Sequence, residues 1–98
     1  MTITMNRKEK ELTVTVEGRL DTLSSAEFEK KIEDSLGGVE KLIFDFAELK
    51  YISSAGLRVI LNVMQVMMRQ GEMVFRNVCK DVMNVFEVTG FIDVLNIE

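Results

Sequence analysis

Leu42 to Met68, LIFDFAELKYISSAGLRVILNVMQVMM, is the stretch whose reading decides the fold. Leu42 to Phe46 is an apolar run broken only by Asp45, the composition of an inner strand covered on both faces. A short polar connection follows and ends in Ser53-Ser54-Ala55-Gly56, from which a helix is expected over about Ala55 to Gln70. Arg58, Asn62, Gln65 and Arg69 recur at helical spacing and mark one narrow polar stripe. The rest of the circumference, Leu57, Val59 to Leu61, Val63, Met64 and Val66 to Met68, is apolar and wider than one sheet contact requires. The surplus either joins the core against a neighbouring helix or forms a partner surface. Two hydroxyls at the mouth of that helix are where function is to be sought.

Toward the N-terminus, Met1 to Met5 and Leu12 to Val16 alternate apolar and polar residues. The charged stretch NRKEKE between them reads as a hairpin turn. Gly18 is expected to end the second strand, with Arg19 to Thr22 as a loop. Ser24 as N-cap with Glu27 forms a capping box, and Leu23 and Phe28 occupy the positions of a hydrophobic staple. Phe28, Ile32 and Leu36 share one helix face, Glu27 and Lys31 can pair across a turn, and Gly37-Gly38 close the helix.

Toward the C-terminus, Gly71 stops the long helix and Met73 to Phe75 forms another strand. Asn77 is expected to cap a helix through Val88, with Val78, Val82, Val85 and Phe86 buried and Gly90 at its end. Phe91 to Ile97 reads as a last strand or short edge element. The order β-β-α-β-α-β-α-β predicts an α/β fold, one domain over residues 1–98, with a mixed sheet and crossover helices. In such sheets ligands gather beyond the carboxyl ends of the strands. That rule points to the end of Leu42 to Phe46 and to Ser53-Ser54.

Composition narrows the function. Ninety-eight residues, 47% apolar and 29% charged, suit one globular core. No apolar run approaches the ~20 residues of a membrane span. The first residues lack the pattern of a secretory signal, so a cytoplasmic protein without membrane insertion is expected. Net charge is −4, with the 12 basic residues scattered, which argues against nucleic acid as a partner. Cys79, the single cysteine, can form neither an internal disulfide nor a zinc site alone, and is expected to be a small buried or half-buried residue. There is no histidine, which removes the Ser-His and Cys-His catalytic arrangements and the commonest metal ligand. No cofactor and no metal are expected.

Serine before a helix is most often an N-cap, so one of Ser53 and Ser54 is expected to cap. The other hydroxyl would then stand exposed at the positive end of the helix dipole. A hydrolase elbow fails because G-x-S-x-G is missing, and a phosphate-binding loop fails for want of G-x-x-x-x-G-K-[ST]. Acid–base work by paired carboxylates would need Asp21 and Asp45 to meet, and neither lies in a catalytic signature. The reading is a binding module, not an enzyme.

Gly18 to Asp21 (GRLD), Leu42 to Phe46 (LIFDF), Tyr51 to Leu61 (YISSAGLRVIL) and Val88 to Phe91 (VTGF) give a further lead. In this order and spacing they resemble STAS domains, and more narrowly the stand-alone bacterial anti-sigma factor antagonists. Tyr51 to Leu61 is the most specific part. The resemblance implies partner switching. The unphosphorylated antagonist binds an anti-sigma factor that is also a serine kinase, which frees the sigma factor. ATP-dependent phosphorylation of a serine ends the binding, and a phosphatase restores it. The matching serine is Ser54, with Ser53 as second candidate, because Ser53 stands where the family commonly has aspartate. Ala55 likewise replaces a hydroxyl residue of some members. Asp21, Asp45, Ser53, Ser54, Gly56 and Arg58 are the implied partner-binding residues. Two alternatives stay open: a STAS subunit of another signalling or lipid-transport assembly without a phospho-switch, or a small-ligand or nucleotide binder.

Overall fold

The computed structural model describes residues 1–98 and is built on a mixed five-stranded sheet. β1 (Thr2–Lys8) and β2 (Glu11–Leu20) form an antiparallel hairpin, with Glu9 in the left-handed region (φ 59°) at its two-residue turn. α1 (Thr22–Ser35) crosses over to β3 (Lys41–Asp45), which lies parallel to β2. β4 (Leu49–Ile52) leads into α2 (Ser54–Met67), which crosses to β5 (Glu72–Arg76), parallel to β3. α3 (Lys80–Thr89) and a 3-10 turn (Phe91–Asp93) follow, and Ile97 returns beside Phe75 in a single parallel bridge. The mixed sheet with crossover helices is therefore the fold expected.

β2 is the axis of the sheet. Its first half pairs with β3, from Glu11↔Lys41 to Thr15↔Asp45. Its second half pairs on the same side with β4, from Gly18↔Leu49 to Leu20↔Ile52, after a register shift at Gly18. Gly18 has φ +100°, a backbone that L side chains rarely adopt. The expectation that Gly18 ends the strand is thus corrected: it is a bulge, and the strand runs on to Leu20.

One cluster holds the buried residues of all three helices. Leu12, Val14, Leu42, Phe44, Met73 and Phe75 supply the sheet's side of it. Phe28 and Ile32 come from α1, Ile60, Val63 and Met67 from α2, and Val82 and Phe86 from α3. Phe44 stacks on Phe75 at 5.1 Å between ring centroids, inside a run of five phenylalanines from Phe28 to Phe86. Ile43 and Val74 are buried on the opposite face, apart from that cluster. β3 is thus buried on both faces but covered by helices on one.

Several boundaries differ from expectation for identifiable reasons. α1 begins at Thr22 with Asp21 as N-cap, not Ser24, because one carboxylate accepts from both the Leu23 and Ser24 N–H groups. Leu23 is 91% exposed, so the staple with Phe28 does not form. Phe28, Ile32 and Leu36 are buried as expected, and Lys31 pairs with Glu27 at 3.6 Å. α3 is capped at Cys79, since Asn77 has φ 59° and donates its amide to Asp45 instead. Gly90, at φ 81°, ends α3 as expected. Of the last strand or short edge element expected over Phe91 to Ile97, only the edge contact forms: Leu95 N–H returns to the Phe91 carbonyl at 2.9 Å in a turn, and Ile97 alone bridges to Phe75. No helix is long and apolar enough to cross a membrane.

Candidate functional site

Parallel pairing of Leu20 with Ile52 sets the residues after both strands, Asp21 and Ser53, side by side at one end of the sheet. Each is the N-cap of the helix that follows, so α1 and α2 open next to each other. Between the two helices lies a cleft of about 450 Å³ lined by Thr22, Ser25, Ala26 and Glu29 from α1 and by Ser54, Ala55, Arg58, Val59 and Asn62 from α2.

Asp21 is engaged by its own helix through one carboxylate oxygen, Oδ1. Its carboxylate accepts from Leu23 N–H at 3.1 Å and Ser24 N–H at 3.0 Å, while Ser24 Oγ accepts from Asp21 N–H at 2.9 Å. The Ser24 backbone and hydroxyl bonds, the Leu23 N–H and nearby Arg19 all favour the ionised carboxylate and hold Asp21 below the usual carboxylate range. Ser25 donates its hydroxyl to the Asp21 carbonyl.

The start of α2 is looser. Ser53 Oγ accepts from Gly56 N–H at 3.3 Å, one longer bond where α1 has several. Ser53 N–H donates to the Leu20 carbonyl at 2.9 Å, fastening this corner to β2. Ser54 is the first helical residue, is exposed, and its hydroxyl takes no part in any hydrogen bond within the chain. Of the two serines, Ser53 caps and Ser54 is free.

Gly56 is buried, and a Cβ added there would sit 2.9 Å from both Leu20 Cγ and Ile52 Cγ1. Its lack of a side chain lets the first turn of α2 lie against β2 and β4. Arg58 is exposed on the cleft wall one turn beyond Ser54.

Asp45 is not part of this constellation. It pairs with Thr15, five residues before Leu20 on β2, which is roughly 16 Å along the strand. By strand alternation it points away from the face of Phe44 and Phe46. Its carboxylate accepts from Ala47 N–H at 3.0 Å and from the Asn77 amide at 3.2 Å, bracing two loops. The pairing of β2 with β4 is the reason: the site lies beyond β4, not beyond β3 as the sequence suggested.

Sequence reasoning missed the α1 wall of the cleft. Thr22, Ser25 and Glu29 recur at spacings of three and four, a polar stripe that periodicity could have found. Glu29 accepts from the Asn62 amide at 2.9 Å, tying the two walls together. Leu23, bare to solvent, lies one residue from the cleft lining. Cys79 is half-buried and donates its thiol to the Leu49 carbonyl at 3.2 Å. No group of three or more His, Cys, Asp or Glu side chains is placed to hold a metal ion.

Comparison with known proteins adds to this geometry. The family model described as STAS domain matches residues 2–98. A Bordetella bronchiseptica protein, BtrV, provisionally named an anti-sigma factor antagonist, is 32% identical over 96 residues, which cover 96% of this chain and 83% of that protein. The solved structure of the anti-sigma factor antagonist SpoIIAA in its unphosphorylated form superposes with a TM-score of 0.86 at 19% identity, over 99% of this chain and 88% of that one. Bacillus SpoIIAA in the phosphorylated form gives a TM-score of 0.77 at 19% identity, over 99% and 91%. At that identity these two likenesses establish a shared fold.

Proposed function

Because the chain belongs to the STAS domain family, we propose that it is an anti-sigma factor antagonist whose unphosphorylated form binds an anti-sigma serine kinase and frees a sigma factor. Phosphorylation of Ser54 by that kinase ends the binding, and a phosphatase restores it. The observation that carries this reading is the Ser54 hydroxyl: exposed, unbonded, and set at the rim of the cleft between α1 and α2. The similarity to BtrV over 96% of the chain supports the same class of partner. The domain acts by binding rather than catalysis, in the cytoplasm.

Partner contacts are assigned to the rim formed by Ser54 and Arg58, with Leu23 beside it. Gly56, being buried, shapes the rim from beneath. Asp21 and Ser53 fix the two helix starts, and Asp45 braces the loops behind them.

The switch needs no rearrangement of the fold. Phosphate adds about −1.5 to −2 charges at neutral pH. Buried in a closed interface and not matched by the partner, such a charge costs roughly several kcal/mol. Each ~1.4 kcal/mol is a factor of ten in affinity, so release by tenfold or more is expected from charge alone.

The test uses a candidate partner, an anti-sigma factor with serine kinase activity from the same organism. After incubation with ATP, mass spectrometry is expected to find phosphate on Ser54 and none in Ser54→Ala. Ser54→Asp is expected to bind the kinase at least tenfold more weakly than wild type. Equal binding by wild type and Ser54→Asp would sink the charge switch, and phosphate on Ser53 alone would move it one residue.

A further inference from the structure

We propose that Arg58 captures the phosphate on Ser54, so that modification both adds a negative charge and withdraws the cleft's one cation. The inference rests on Ser54 as the acceptor and adds the residue that receives the product.

Three observations place Arg58 in this role. It is four residues after Ser54 on α2, and both line the same cleft. Residues at this spacing have Cβ atoms about 5–6 Å apart, and helical side chains lean toward the N-terminus, so Arg58 lies over the turn that begins at Ser54. Second, Arg58 is uncommitted: it is absent from all five ion pairs in the chain and donates no side-chain hydrogen bond.

Third, the other charges around the mouth are occupied. Glu29, the remaining charged residue of the cleft, accepts from Asn62 one turn below Arg58. Asp21 Oδ1 accepts from the first turn of α1, and a carboxylate cannot receive a phosphate. The Arg19 guanidinium is stacked on the Tyr51 ring at 4.2 Å. A guanidinium offers paired N–H donors that match phosphate oxygens, an attraction that a free serine hydroxyl does not provide. In the unmodified protein Arg58 is open to an acidic partner surface. Once Ser54 carries phosphate, the same group is turned inward.

The test places phosphoserine at position 54 during translation, so that no kinase is required. Phosphorus NMR then follows the second ionisation of the phosphate, which in a free phosphoserine falls near pH 6, about. An Arg58 guanidinium on the phosphate favours the dianion, and the midpoint is expected to lie about half a unit or more lower in wild type than in Arg58→Ala. Arg58→Gln is expected to behave as Arg58→Ala, and Arg19→Ala as wild type. Equal midpoints in wild type and both Arg58 variants would overturn the capture, as would a rise in Arg19→Ala alone. Because the phosphate is installed directly, failure of the kinase to modify Ser54 would count against the proposed function and leave this titration to decide on Arg58.

Discussion

The two helices that open side by side at the end of the sheet start in opposite ways. At α1 the Asp21 carboxylate, the Ser24 hydroxyl and the Ser25 hydroxyl are all committed to backbone groups of the same turn. At α2 one bond from Gly56 N–H to Ser53 does the capping, and the adjacent hydroxyl of Ser54 has no partner. Both mouths read as serine-rich helix starts in sequence. What separates them is how many of their polar atoms are consumed by the fold. A site of modification or recognition is made from what is left over; at the mouth of α2 that is the Ser54 hydroxyl and the Arg58 guanidinium, and at α1 the hydroxyl of Thr22 alone.

Substitutions can break this contrast, and chemical denaturation at pH 7 measures each. The largest effect is expected beneath the open mouth. Gly56→Val would drive its side chain into Leu20 and Ile52, where even a Cβ would sit at 2.9 Å, and is expected to cost about 2–3 kcal/mol as overpacking. Asp21→Ala comes next, because it strips two N–H groups of their acceptor. Ser53→Ala should cost less, about 0.5–1 kcal/mol for a single serine cap. If Ser53→Ala proves as damaging as Asp21→Ala, the two mouths are equally closed and the contrast fails. Ser54→Ala is expected to change stability by no more than about 0.5 kcal/mol, as for a surface residue without a structural partner.

The closed mouth also has a pH signature. Asp21 has a lower pKa in the folded chain than its ordinary carboxylate value, because its hydrogen bonds favour the ionised form. Its contribution is therefore present in full above the unfolded pKa, about 4, and is lost as pH falls through the lower folded value. The stability difference between wild type and Asp21→Asn should be constant from neutral pH to about 5 and shrink below about 4. A difference that grows as pH falls would show that Asp21 does not cap as the carboxylate.

Most of the architecture was legible because it is written in local periodicity. The alternation of Leu12, Val14 and Val16 and the helical spacing of Phe28, Ile32 and Leu36 survive directly into burial. β4 was not legible. Its four residues, Leu49–Ile52, are too few to show a period, and their partner on β2 is some thirty residues away in the chain. Without β4, the end of β3 at Asp45 and the Ser53-Ser54 pair read as one region, whereas β4 carries the serines to the far end of β2. The apolar run FIDVLNI looked like a strand, yet Ile92 and Val94 are exposed and the chain makes a 3-10 turn. Turn geometry after Gly90 overrode β propensity there. Of the site, the Ser53-Ser54 pair could be found by motif, but which of them caps depended on the register of β4 against Leu20.

The idle hydroxyl of Ser54 has an evolutionary consequence. Because the fold spends nothing on it, gaining or losing the acceptor does not pass through an unstable intermediate. Regulation by phosphate can therefore be acquired, moved or discarded along a lineage while the core beneath is untouched. The neighbouring Gly56 has the reverse character: it is buried and has no alternative, since any side chain there meets Leu20 and Ile52. One turn of helix thus joins a position that the fold leaves free to one that it does not.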